Sequence, residues 1–259
     1  SMLSVAASVV KATQITSKAK HLCVLPLSTL LENVAGVYAA LIVGATIHLL
    51  PSDQVGLNGS QLDVHKLHYA LLTTQANTAI FIPELLSALV SAMESGAASL
   101  PHLRFLAVGG AAVATNMLER ARQLALPVYQ GYGLSECASV VALNTMVKNE
   151  IGSVGQPLQH LEIKLAEDGE ILVKGAHFLG YTGDMSAKAK QKWLATGDIG
   201  AIDSQGFLHI KGRKKNIFIT SFGRNISPEW VECALLNSPY IAQVCVFGES
   251  KPWNIALIV

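Results

Sequence analysis

A chain of 259 residues with 51% hydrophobic and 14% charged side chains has ample material for a folded core, which excludes the disordered class. Its 19 basic and 18 acidic residues leave a formal charge of +1, so no global field draws it to nucleic acid or to anionic lipid. Four scattered cysteines, Cys23, Cys137, Cys233 and Cys245, form no CxxC pair, and the Ser-Met start lacks the parts of an export signal; a disulfide framework and a zinc site are disfavoured and a reducing cytoplasm is expected.

In chain order, a helical pattern runs to Lys18, followed by apolar His21 to Leu25, helical Leu30 to Val43 and apolar Ala45 to Leu49. Within it, Val34 to Leu50 approaches the roughly 18 apolar residues of a membrane span. Gly44 interrupts that run and Thr46 and His48 fall in its second half, so a buried helix followed by a buried strand is the better reading. A helix over Gln61 to Thr74, a strand over Thr78 to Ile82 and a helix after Pro83 come next. The strand Leu103 to Val108, the helix Asn116 to Leu124 and the strand Pro127 to Gln130 complete the alternation. Short unalternating strands between helices predict a parallel sheet covered on both faces.

After Thr145 the pattern becomes paired short strands around turn residues: Leu161 to Leu165 and Glu170 to Val173 across Asp168-Gly169, then Ile199 to Asp203 and Phe207 to Ile210 across Gln205-Gly206. A strand Ile217 to Thr220, a helix from Ser227 to Leu236 with Pro228 in its first turn, and strands Ile241 to Phe247 and Ile255 to Val259 follow. The last strand has no visible neighbour, which suggests a fold that continues. The expected class is α/β: a parallel sheet covered by helices on both faces (1–144), a small β-barrel-like subdomain (145–214) and the beginning of an α+β C-terminal domain (215–259).

Ligands of open parallel sheets bind beyond the carboxyl ends of the strands, and GYGLSE (Gly131 to Glu136) follows the last clear one. Gly131 and Gly133 let backbone approach a phosphate, Tyr132 offers a flat face, Ser135 a hydroxyl and Glu136 a hard ligand for Mg2+. The same residues also suit a plain glycine turn, with Ser135 capping a helix that starts at Glu136. LAVGGAA (Leu106 to Ala112) places adjacent glycines after another strand, leaving room for a planar ring. WLATGDIG (Trp193 to Gly200) offers Asp198 in a glycine-flanked turn, suited either to ribose hydroxyls or to the turn alone. GRKKNIF (Gly212 to Phe218) adds cations; Arg213 can grip a ribose or phosphate, and the cluster also suits a solvated charged face or a nucleic-acid patch.

In this order, the segments resemble the adenylate-forming superfamily, which includes acyl-CoA synthetases, luciferases and the adenylation domains of peptide synthetases. GYGLSE resembles its adenine and magnesium motif, GSVGQP (Gly152 to Pro157) its next turn, GEILVKG (Gly169 to Gly175) and GYTGD (Gly180 to Asp184) its barrel strands, and TGDIG with GRKKNIFITSFGRNISPEWVE its ribose site and hinge. The resemblance implies that Tyr132 stacks on adenine beside Gly109, Gly110 and Ala111, with Gly131 and Gly133 framing the nucleotide. Ser135 would touch phosphate, Glu136 hold Mg2+, and Asp198 and Arg213 bind ribose; Ser135, Glu136 and Arg213 are the expected catalytic residues. Lys215 would mark the hinge about which the family's small domain turns. The implied chemistry is attack of a carboxylate on the α-phosphate of ATP, giving an acyl adenylate and pyrophosphate, then transfer to coenzyme A.

Leu27 occupies the place of the aspartate that pairs with the substrate ammonium in amino-acid-activating relatives, and an unpaired buried ammonium would be costly. Leu27, Leu30, Leu31, Val34 and Gly36 suit an aliphatic or aryl acid, and LPLSTLLE resembles long-chain acyl-CoA synthetases, so a fatty acid is the expected partner, compatible with peripheral membrane contact. The same leucines would equally form the buried face of any helix. The family's phosphate loop and late catalytic lysine have no counterpart here; Thr29 stands where many relatives have histidine and Ile219 where many have lysine. The leading expectation is a fragment of an AMP-forming fatty-acid ligase that is incomplete for catalysis alone. The alternative is a noncatalytic nucleotide or acyl-adenylate binding module.

Overall fold

Apolar runs and helical patterns alternate in space as they do in the sequence. The computed structural model describes all residues except 60, 176, 179, 181, 183–192, 237, 239 and 242. Helix α1 (Met2–Thr13) ends where Gln14 turns left-handed at φ 55°. Strand β1 (Lys20–Cys23) leads to a helix that winds as π over Leu31–Tyr38 and as α in α2 (Ala39–Val43). After β2 (Thr46–Leu49) comes the short hairpin of β3 (Leu57–Asn58) and β4 (Gln61–Leu62), and β4 takes the first two residues assigned from the sequence to a helix. Helix α3 (Val64–Thr73) starts only at Asp63, whose carboxylate caps the His65 and Lys66 N–H groups. Then come β5 (Thr78–Phe81), α4 (Pro83–Glu94), β6 (Phe105–Val108), α5 (Thr115–Gln123), β7 (Val128–Leu134), β8 (Ser139–Leu143) and β9 (Gln156–Pro157).

These strands form one sheet in the order β2-β1-β5-β6-β7-β8-β9, parallel from β2 to β7 and antiparallel across β8 and β9. Cross-strand register places His21, Thr78, Ile80, Phe105, Ala107 and Tyr129 on one face. That face meets α1 and the π segment through Val5, Val9 and Val34. On the opposite face Leu22, Phe81 and Leu106 pack against Leu67, Leu86, Leu89 and Leu118 of α3, α4 and α5. Each fully buried leucine contributes roughly 1.5–3 kcal/mol, so helices of this length are held by the sheet they cover.

The next unit is a four-stranded antiparallel sheet curled as a half-barrel, with β10 (Leu161–Leu165), β11 (Glu170–Gly175), β12 (Leu194–Ile202) and β13 (Leu208–Arg213) in that order. Both expected turns close it: Asp168 accepts from Glu170 N, and Asp203 accepts from Gln205 N and Phe207 N. GYTGD lies largely outside the described residues. The last segment contains β14 (Phe218–Ile219), β15 (Asn225–Ile226), α6 (Pro228–Leu235), β16 (Val244–Phe247) and β17 (Ile255–Ile258). The final strand has the neighbour its sequence does not reveal, since β17 pairs antiparallel with β16. No helix among the described residues is long and apolar enough to cross a membrane, and Val34 to Leu50 divides into helix and strand at Gly44, φ 70°.

Candidate active site

Two glycine-bearing segments open the carboxyl edge of the sheet. Gly110 follows β6 at φ 91°, and a Cβ on Gly109 would press to 3.4 Å from the Gly131 carbonyl oxygen. GYGL is not a turn after the strand, as the sequence suggests, but its continuation. β7 runs to Leu134 and pairs with β8, with a bulge between Tyr132 and Gly133. The glycines are the cause, since a Cβ on Gly133 would overlap the Ser139 carbonyl and one on Gly131 would reach 3.2 Å from the Ala142 carbonyl. Ser135 caps no helix; Ser135–Cys137 form a single 3-10 turn. The GSVGQP turn is fastened below by Asn144, which donates to the Gln130 and Ser153 carbonyls and accepts from Glu150 N.

Asp198 lies within β12, opposite Arg213 on β13, and not in a turn. The left-handed Gly197 (φ 75°) and the bulge after Ile199 bend the strand around it, which explains why its glycine-rich sequence resembles a turn. Its carboxylate is 4% exposed and joins two other expected site residues. Tyr132 Oη donates to Oδ2 at 2.5 Å and Arg213 Nε donates to Oδ1 at 2.8 Å. Burial, followed by the Asp198 hydrogen bond and charge, pushes the Tyr132 phenol well above its ordinary range, so Tyr132 remains a donor. A carboxylate has about four lone-pair sites, so Asp198 retains acceptor capacity for ligand hydroxyls beside these two bonds.

A cavity of about 750 Å3 begins at Arg213, Ser135 and Glu136, passes Gly109, Gly110 and Gly131 to Gly133, and continues between the sheet and the π segment. Its size is that of a ligand pocket. Ser135 and Glu136 thus stand at the entrance with Tyr132, while Ala111 is exposed just beyond Gly110. Lys215 is exposed in the turn after β13, beside Lys214, which pairs with Asp168 at 2.6 Å and Glu170 at 2.7 Å. Of the residues expected to hold the acid, Leu30, Leu31 and Gly36 line the cavity, as does Thr29. Leu27 is exposed before the helix, and Val34 turns toward Val5 and Ala6 of α1. Ile219 is exposed on β14.

The deep wall holds a group that the sequence reading missed. Glu32 is completely buried; Oε1 accepts from His21 Nε2 at 2.7 Å, and Oε2 accepts from Leu25 N at 2.9 Å and Val24 N at 3.2 Å. Thr78 Oγ1 lies 2.9 Å from His21 Nδ1. A Cβ on Gly36 would overlap both Glu32 and His21, so only glycine fits there. The available signal was a lone carboxylate inside the apolar run Leu30 to Val43, since a buried charge demands partners. Cys23 converges on the same pair within 4.8 Å. Burial and then the Glu32 charge push its thiol up to about 12.

A model of the AMP-binding enzyme family matches residues 1–182. The chain is 40% identical over 154 residues to the long-chain-fatty-acid–CoA ligase FadD15 of Mycobacterium tuberculosis, covering 58% of this chain and 26% of that one. It is 30% identical over 242 residues to the 2-succinylbenzoate–CoA ligase of Listeria innocua, covering 91% of this chain and 49% of that one. The O-succinylbenzoate coenzyme A synthetase of Bacillus subtilis in complex with AMP superposes with a TM-score of 0.81 at 26% identity, over 98% of this chain and 53% of that one. An anthranilate CoA ligase in complex with anthranoyl-AMP reaches a TM-score of 0.85 at 18% identity, over 99% of this chain and 52% of that one, a likeness of fold. The chain therefore spans about half the length of these solved structures and a quarter to a half of these curated relatives.

Proposed function

Because the chain belongs to the AMP-binding enzyme family, we propose that it forms the adenosine and acid pocket of an AMP-forming acid–thiol ligase. The observation that carries this reading is the convergence of Tyr132, Asp198 and Arg213 at the carboxyl edge of the sheet, above a cavity that leads into its apolar interior. In the reaction, a carboxylate oxygen attacks the α-phosphate of ATP and pyrophosphate leaves; a thiol, usually coenzyme A, then attacks the acyl carbon and AMP leaves. Adenine lies against Tyr132 and the Gly109-Gly110-Ala111 backbone, and ribose hydroxyls bond the remaining lone pairs of Asp198, with Arg213 fixing that carboxylate. Ser135 meets phosphate oxygens.

Glu136 stands at the entrance and suits a magnesium ion, which would neutralise phosphate charge there. Lys215, just beyond β13, is the hinge in this reading, separating residues 145–214 from 215–259, with the parallel unit in 1–144. The acid is an apolar one. Leu30, Leu31, Ile80 and Phe105 along the cavity support an aliphatic tail, and similarity to a long-chain-fatty-acid ligase supports it further. The longer match to 2-succinylbenzoate ligases favours an aryl acid as the second reading.

Calorimetric titration with nonhydrolysable 5′-O-(N-acylsulfamoyl)adenosines in the presence of Mg2+ tests both. Binding of the decanoyl mimic, tighter than the benzoyl one and lost in Asp198→Ala, is the expected result. A preference for the benzoyl mimic would select the aryl acid, and absence of binding by either would overturn the assignment.

A further inference from the structure

Polar groups deep in an apolar pocket are costly unless they are bonded or used. Here Glu32, His21 and Thr78 form a chain of hydrogen bonds that ends on the cavity, where Thr78 and His21 are both lining residues. Register places His21 directly opposite Thr78, on the same face as Ile80. Thr78 Oγ1 bonds His21 Nδ1 and, whichever of the two donates, keeps at least one of its two lone pairs as an acceptor.

The distance to the nucleotide end follows from the strand. Val108, just before Gly109, pairs with Phe81, and Thr78 is three residues earlier on β5, so Thr78 lies roughly 10–13 Å from the nucleotide end of the cavity. We infer that Thr78, oriented by His21 and Glu32, is a specificity-determining acceptor for a hydroxyl carried far from the carboxylate, so that the acid taken is a hydroxylated aliphatic acid. This deepens the ligase reading and rests on it. Glu32 and His21 act through Thr78 as positioning residues. Gly36 is the condition for the arrangement, because any larger side chain would displace the pair.

The test titrates the chain with decanoyl- and 10-hydroxydecanoyl-sulfamoyl adenosine. A matched hydroxyl is expected to tighten binding roughly three- to tenfold, whereas a hydroxyl with no partner would weaken it. The preference should reverse in Thr78→Val, which removes the oxygen and keeps the shape. Both mimics binding alike, or the hydroxylated one more weakly, would overturn this inference and leave the ligase reading standing; neither binding would overturn both. The wild-type ratio decides the matter even if the variant fails to fold.

Discussion

At the scale of single residues, Asp198 concentrates the site's electrostatics. It is nearly inaccessible yet holds a phenol and a guanidinium on its two oxygens, and each hydrogen bond to a charged group is worth roughly 1.5–3 kcal/mol when buried. The Arg213 bond lies toward the weak end, since that side chain is half exposed. In Asp198→Asn one amide NH2 must face a donor, and the expected cost is a 10- to 100-fold loss in AMP affinity, measurable by calorimetry. An unchanged affinity would remove Asp198 from the ribose site. Thiol chemistry gives an independent check on burial. Cys137 is buried and, like Cys23, is pushed up to about 12, whereas Cys245 is exposed. At pH 8 an aromatic disulfide reagent should therefore label Cys245 in the native chain and reach Cys23 and Cys137 only after denaturation.

At the scale of elements, the β7–β8 pairing and the π segment build the two walls of the cavity. Gly133→Ala drives a methyl into the Ser139 carbonyl, and overpacking of this kind costs roughly 1–3 kcal/mol or more. A lowered urea midpoint with an unchanged slope should result. Glu32→Ala leaves His21 and two backbone N–H groups without their acceptor; each buried donor left unsatisfied costs roughly 1–3 kcal/mol, and the same denaturation experiment would read it. A stability within 1 kcal/mol of wild type, by the usual order of surface changes, would show that the pair does not fasten the π segment to β1. Most helices and strands were legible because apolar periodicity is local. Glycines were read as turns where they lie in strands, because the reason for a glycine in GYGL is a neighbour, β8, that sequence alone does not reveal. The His21–Glu32–Thr78 chain was illegible for the same reason, its members being 11 and 57 residues apart.

At the scale of the whole molecule, several exposed ion pairs add a small, screened contribution to stability that is lost in acid. Arg120 holds the Glu94 carboxyl below its ordinary 4.5, His209 lowers Asp203 from 3.8, and Lys214 lowers Asp168 from 3.8. A carboxylate depressed in the folded state adds stability that is complete above its unfolded value and lost as pH falls through the folded one. The melting temperature should therefore be level from pH 7 to about 5 and fall below about pH 4, less steeply in Glu94→Gln. A melting temperature that rises on acidification would contradict these pairings. The whole-chain order of motifs was legible because each keeps its spacing, while the way β12 and β13 carry Asp198 and Arg213 to Tyr132 on β7 is a property of the folded chain. The most direct measurement is a crystal structure of the chain with decanoyl-sulfamoyl adenosine. The expected result is adenine beside Tyr132 and Gly109, ribose on Asp198, and the tail between the π segment and β5, running past Thr78. An adenosine bound without contact to Asp198, or a tail outside this cavity, would contradict it.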